Sequence, residues 1–506
     1  MNPDTYKLTR RGLLGTGAAL AVAAALPATT AQAAPRGVPS GDRGLVRRWA
    51  ADTWASLVAM TDADTGLVSD NIGGALTGPA AYTSPTNLGG YLWSALVARD
   101  LGIIGARECS RRIKQSLDTL AGLDRHTASG MYFNWYDPSD GSVIRSWPES
   151  GDPVTPFVSS VDAAWLGAGL LCVRNGDRAN SDQAGEMFAR MRFDVFADPT
   201  FHKPYLNYGG FYLEQPPRTD IVARDLIGEG REVWYTANHH YDTIVSETRI
   251  TTYLGIAKQQ VPGSAYYQAW RTFPDVNYDW QEMPPQGRWR TYLGVDVFEG
   301  VYNYGGQQVV PGWGGSMFEE LMPNVFVPEE DWAPRSWGRN HPRHVDAQIH
   351  HGLRDARYGY WGFSPSSNPA GGYREYGVDA LGLNPDGYFS DQQNTNFVWN
   401  NPPAGYGDGV VTPHALFLGM MHRPDAAVEN LRKLARNFDA YGRGGFYDAI
   451  AVRSGTVAKR YLSLDQAMVM GALGNVLGNG ILQRYFCRGE VSRRVRPVIA
   501  PEVFGP

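Results

Sequence analysis

The chain has 506 residues, 43% of them hydrophobic and 19% charged, with a formal net charge of −5. This mildly acidic balance argues against nucleic acid, anionic lipid or acidic polymers as principal partners, because each needs a basic face. The three cysteines, Cys109, Cys172 and Cys487, are an odd number and read as reduced or buried thiols, and no Cys/His spacing marks a zinc site.

Residues 1–33 read as an export signal. Lys7, Arg10 and Arg11 precede an apolar run that ends in the small-residue triplet Ala31, Gln32, Ala33, and the order from Thr9 to Leu14 is of the twin-arginine type. The apolar run is short and interrupted by Pro27, and no later segment supplies the roughly 20 apolar residues that cross a bilayer. The expected product is secreted, monomeric and free of the membrane, with a net charge of −7 once the first 33 residues are removed. A length of about 150 residues per domain would suggest three domains. No linker is visible beyond a flexible segment over 34–43, so 44–490 is expected to form one large domain, followed by a tail over 491–506.

Helical periodicity then dominates. Helices are predicted over 45–60, 86–102, 106–123, 159–176, 181–196, 241–258, 344–358, 412–438 and 463–486, two of them breaking at internal turns. Strand-like alternation is brief, as in 288–304. In "YDTIVSETRITTYLGIAK", residues 241–258, Ile250, Leu254 and Ala257 recur at helical spacing and Ser246 is the expected N-cap, which places Glu247 in the first turn. A carboxylate there complements the helix dipole without any chemistry. The loops carry a second pattern, glycine followed by aromatics: "SGMYFNWYDP", "YGGFYLEQPP", "RYGYWGFSPSSNPAGGY" and "GRGGFYDAI". Helical hairpins set in a ring would gather these exits at one mouth, and aromatic faces there would suit sugar rings.

Cleavage of a glycosidic bond needs one carboxylic acid to protonate the leaving oxygen and a second carboxylate to activate water or attack the sugar. Asp162, Glu247, Glu319, Glu375, Asp379 and Asp465 stand beside aromatics or in glycine-rich loops and are the candidates.

The strings "TSPTNLGGYLWSALVARDLG", "YDTIVSETRITTYLGIAKQQVP", "GGSMFEELMP" and "GGFYDAI" resemble the glucoamylase-like region of cyclic β-1,2-glucan synthases. "YWGFSPSSNPAGGYREYG", "VTPHA" and "YLSLDQA" are similar to the related bacterial glucoamylase-like family that includes endo-β-1,2-glucanases. The resemblance runs in order from about Ala51 to Phe486. It implies a fold dominated by α-helices, an (α/α)6 toroid with small β elements, and a secreted glycoside hydrolase acting on β-1,2-glucan or a related neutral polysaccharide.

The resemblance also implies roles. Glu247 matches the general acid. Asp162 matches an acidic residue of the sugar-binding cleft, while Ser159 stands where an aspartate can occur. Pro365 occupies the place of a glutamate nucleophile, which turns the expectation toward an inverting mechanism with Asp379 or Glu375 as base, Asp379 slightly favoured. Asn134, Trp135 and Tyr136 are the expected sugar platform, with Trp361 next. Arg249, Glu319, Asn87, Asp465 and Gln466 are expected at the substrate, although Asp465 also suits a helix cap. Two other readings fit the sequence. A polysaccharide lyase could use the string Asn238, His239, His240, Tyr241, and a secreted glycan-binding protein could use the ring-lined loops without turnover. No dinucleotide fingerprint, phosphate loop or EF-hand is present, so no cofactor and no metal are expected.

Overall fold

The computed structural model describes residues 37–237, 239–274, 283–383 and 406–506. The predicted export signal and Asn238 lie outside the described residues. In chain order the helices are α1 (Arg43–Met60), α2 (Pro85–Asp100), α3 (Ala106–Gly122), α4 (Ser160–Gly176), α5 (Ser181–Arg190), α6 (Arg249–Ala257) and α7 (Met317–Phe326). They continue with α8 (Glu329–Trp332), α9 (Trp337–His350), α10 (Pro413–Met420), α11 (Pro424–Asn437), α12 (Ser463–Gly478), α13 (Ile481–Phe486) and α14 (Glu490–Ile499). The strands form small antiparallel sheets of two to four strands at the helix ends. The fold is dominated by helix, as the periodicity predicts.

Two kinds of helix explain the layering. α2, α4, α6, α7, α10 and α12 are apolar nearly all round and bury almost every residue. α3, α5, α11 and α14 bury one stripe and leave charges outside. In the buried set α12 packs on α2, α2 on α4, α4 on α6, α7 on α10 and α10 on α12. Outside them α3 packs on α2, α5 on α4, α14 on α6, α9 on α7 and α11 on α10, with α1 against α12 and α2. Glycine lets α2 and α4 approach to backbone contact: a Cβ on Gly89 would stand 2.5 Å from the Trp165 carbonyl oxygen.

Buried α6 and α7 are tied by one side chain. Arg249 is 3% exposed. It donates to the carbonyls of Ile244, Ser246 and Glu319 at 3.0–3.2 Å, to that of Glu320 at 2.7 Å, and to both carboxylate oxygens of Glu329. Burial alone would raise the Glu329 carboxyl, yet Arg249 and His341 beside it hold it down to about 2. His341 lies between Glu320 and Glu329, 2.6 and 3.2 Å away. Against its own burial, these carboxylates lift it to about 9. Two cations and two anions thus balance inside the core.

Several sequence expectations are corrected. The helix expected over 241–258 begins only at Arg249, with Thr248 as its cap, so Glu247 sits in the preceding turn. The backbone of 240–241 is instead drawn into a strand pair with 207–208. α7 was hidden by its internal Pro323 and its brevity. The alternation over 288–304 is a hairpin, 286–292 against 295–304, turning at Leu293 and Gly294 with φ of 48° and 79°. The expected tail is no tail: Val491, Val495 and Ile499 are buried in α14, and the buried Glu502 accepts from Arg271 and Tyr266.

Replacing one half of the buried ion pair leaves a charge without a partner. Glu329→Gln is therefore expected to lower the unfolding free energy by about 3–5 kcal/mol, read from denaturant titration. A loss below about 1 kcal/mol would mean that the network does not hold α6 to α7.

Candidate active site

The buried helices present their N-terminal turns together, and most of those turns carry a Ser or Thr followed three residues later by a polar side chain: Ser84 and Asn87, Ser159 and Asp162, Ser246 and Arg249, Ser316 and Glu319, Ser463 and Gln466. At α2, α4 and α7 the serine hydroxyl accepts the backbone N–H three residues on, which ends the helix and fixes the direction of the side chain there. α10 begins Thr412, Pro413, His414, with proline at its first position. The recurrence of Ser/Thr-x-x-polar is the sequence signal that marks these turns as one set.

Glu247 is half-buried in the turn before α6. Its carboxylate accepts from Trp165 Nε1 at 2.8 Å. Burial pushes the carboxyl up to about 8, the indole N–H works against this, and Asp162, Glu319 and Glu375 add like-charge repulsion. Glu247 therefore carries its proton at neutral pH. Across from it, Asp162 accepts from the Thr86 hydroxyl at 2.5 Å. The Asn134 amide, oriented with its nitrogen toward Asp162, donates to the other oxygen at 2.7 Å and accepts from Trp135 Nε1 at 3.2 Å. Burial raises Asp162, while hydrogen bonds from Thr86, Ser159 and Ser84 oppose it.

Asp70 extends the acid set. It accepts from Asn87 at 2.9 Å and Asn71 at 3.1 Å, and Asp162 repels its charge. Asn71 also donates to the Tyr82 hydroxyl at 3.2 Å. Tyr82 belongs to a half-buried trio with Trp135 and Trp147, ring centroids 4.6–5.6 Å apart. Tyr241, raised by burial, feels Glu247, Asp162, Glu375 and Glu319, which places its hydroxyl among the acids. Asp70, Tyr82, Trp147 and Trp165 escape sequence reasoning, because nothing local distinguishes them from other loop acids and rings.

The remaining expected residues divide. Glu375 is exposed to solvent, yet burial of its flank raises it and its charge reaches Glu247. Asp379 is buried in the one-turn segment Asp379–Leu381, whose backbone pairs with the loop around Gly312. Glu319 turns its carboxylate to its own loop, accepting from Gly314 N, Trp313 N and Ser316 Oγ at 3.0–3.3 Å, so it shapes that loop and presents no free carboxylate. Arg249 offers nothing to a ligand, because every nitrogen is engaged inside the core. Tyr136 is fully buried, accepting from Phe133 N and donating to the Asp124 carbonyl, so the sugar platform cannot include it. Trp361 is 2% exposed and packs on Gly352 and Gly419, a core residue. Asn87 works through Asp70. Asp465 and Gln466 are buried at the head of α12, Asp465 against His414 and Gln466 near Ser56. Of the His239, His240, Tyr241 string only Tyr241 reaches the acids, since His240 pairs with Asp198 at 3.1 Å and stacks on Phe201.

The helical scaffold thus gathers buried and half-buried carboxyls, Glu247 among them pushed up to about 8, beside half-buried rings. Residues 239–490 match the family described as "Putative glucoamylase", and the chain belongs to this glucoamylase-like family. It is 27% identical over 80% of its length to the cyclic β-(1,2)-glucan synthase NdvB of Rhizobium meliloti, and 25% identical over 134 residues to an exo β-1,2-glucooligosaccharide sophorohydrolase of Parabacteroides distasonis. The chain spans 17% of the length of each of these relatives. The endo-β-1,2-glucanase of Chitinophaga pinensis, solved with sophorotriose and glucose, superposes with a TM-score of 0.63 at 14% identity, covering 90% of this chain and 98% of that one. The fold is therefore shared.

Because Trp165 Nε1 favours the ionised form of Glu247, Trp165→Phe is expected to raise the Glu247 titration above about 8. Carboxyl-carbon NMR of glutamate-labelled protein reads this directly, with Glu247→Gln identifying the signal. An unchanged or lowered midpoint would remove Trp165 from the site.

Proposed function

We propose that this protein is a glycoside hydrolase that cleaves β-1,2-linked glucan, with Glu247 as general acid. The carrying observation is the Glu247 carboxyl, held protonated at neutral pH by burial and neighbouring acids while still open on one side. A proton donor of this kind is what departure of a sugar oxygen requires. The relatives that act on or make β-1,2-glucan support the linkage.

In this reading the six apolar helices close as the inner ring of an (α/α)6 toroid, and their N-terminal turns form the floor of the substrate cleft. The pairwise packing around the set, with Arg249 bridging α6 and α7, supports that closure. Asp162 and Asp70, kept in place by Thr86, Asn134, Asn71 and Asn87, bind sugar hydroxyls, and Trp135 with Tyr82 and Trp147 stacks on a pyranose face. The mechanism is inverting, with Glu375 preferred to Asp379 as the base, because Glu375 is solvent-accessible and lies within the field of Glu247. The protein is exported by the twin-arginine route and works as a monomer outside the cell.

Glu247→Gln is expected to lower kcat on β-1,2-glucan by about 10²–10⁴-fold, while wild-type activity falls as pH rises through about 8 and the donor loses its proton. Proton NMR of the first product formed is expected to show the inverted α-anomer. Full activity in Glu247→Gln would sink the assignment, and a β-anomer would transfer the chemistry to a retaining pathway. Export is tested separately: replacing Arg10 and Arg11 together with lysine is expected to trap the protein inside the cell.

A further inference from the structure

A second cluster lies at the heads of α10 and α12. His414 and Asp465 come from the two first turns, and Asp448 from the loop after the Gly445–Phe446 strand. A ring nitrogen of His414 and one oxygen from each aspartate lie within 4.8 Å of one another. All three residues are buried to 97% or more; His414 Nδ1 stands 3.1 Å from Asp465 Oδ2, the two aspartates meet each other, and His414 Nε2 and Asp448 Oδ1 find no donor or acceptor outside the cluster. Together they line a small pocket with Thr53, Phe417 and Phe446.

The charge balance of this cavity is incomplete. Two carboxylates this close in a dry setting cannot both stay ionised without a compensating positive charge. Among the described residues no lysine or arginine pairs with either aspartate, and the side-chain nitrogen that meets them is His414 Nδ1, 3.1 Å from Asp465 Oδ2. A single shared proton could join two oxygens but would leave the imidazole lone pair without a partner. The surroundings hold the ligands in place. Ser367 N donates to Asp448 Oδ2 at 2.6 Å, and the Thr412 hydroxyl stands 2.9 Å from His414 Nδ1 while donating to the Asp448 carbonyl at 2.6 Å. Such outer contacts fix imidazole and carboxylate ligands around metals.

From these atoms we infer that His414, Asp448 and Asp465 bind one divalent transition ion. One imidazole and two carboxylates form a mixed nitrogen–oxygen set that suits Zn²⁺ or Mn²⁺, with a remaining position for water. The ion staples α10, α12 and the 448 loop. It stands on the side of the acid set where Asp465 feels Asp70. This site is independent of whether the protein cleaves a glycan.

The test uses the full chain, stripped with a chelator and titrated with Zn²⁺ or Mn²⁺ alone. Elemental analysis after gel filtration is expected to find one ion per chain, with a rise in Tm, and both effects are expected to disappear in His414→Gln and Asp448→Asn. X-ray absorption of the zinc-loaded wild type keeps the question decidable if those variants do not fold: a first shell with one imidazole and otherwise oxygen is expected. No uptake by the wild type, uptake retained in both variants, or a shell of two or more imidazoles, as surface His202 and His239 would give, overturns the inference. The first of these outcomes would assign the cluster a shared proton.

Discussion

The buried guanidinium of Arg249 is the constraint on which the site rests. It holds the segment just before Glu247 through the carbonyls of Ile244 and Ser246, and it contacts the first turn of α7 through the carbonyls of Glu319 and Glu320. A lysine could not hold this many acceptors, because the planar fork of arginine offers five donors in fixed directions. Since the charge cannot be given up, the core must supply an anion, and Glu329 does so with Tyr253 donating to it at 2.6 Å. The position of the proposed acid is thus set by packing around a cation that no ligand reaches.

The environment of Glu247 follows from the same geometry. The fixed turn lays its carboxyl against the Trp165 indole and within the field of Asp162, Glu319 and Glu375. Helix N-termini favour negative charge, so the convergence of several such ends works against protonation. Burial raises Glu247, Glu319 and Asp162 alike, and Glu247, with only the Trp165 donor aimed at its carboxylate, goes further than Glu319, to about 8 against about 7. Asp162 receives the Thr86 hydroxyl and the Asn134 amide as well, and Glu319 receives two backbone N–H groups and a hydroxyl. The larger number of donors at Glu319 goes with the smaller rise of its carboxyl.

Side-chain direction explains where sequence reasoning misplaced residues. Trp361, Tyr136 and Arg249 have the chemistry of sugar-binding residues, but their side chains turn inward, and glycine-rich spacing does not encode direction. Tyr136 is held inward by its hydroxyl on the Asp124 carbonyl, whereas Asn134, in a bend two residues earlier, reaches Asp162, and Trp135 donates to Asn134.

By itself the sequence determined the helical character of the protein, most helix positions, the family resemblance and the short list of acids, because apolar periodicity and strings of motif residues are local properties. It also contained, in the repeated Ser/Thr-x-x-polar turns, the positions at which the buried helices begin. Tertiary structure decided which of those acids keeps a proton, which serves its own loop, and that Asp70, Tyr82 and Trp147 stand beside them. Those outcomes depend on desolvation and on donors from residues far away in the chain, such as Trp165 for Glu247 and Thr86 for Asp162, and such long-range contacts leave no local pattern to read.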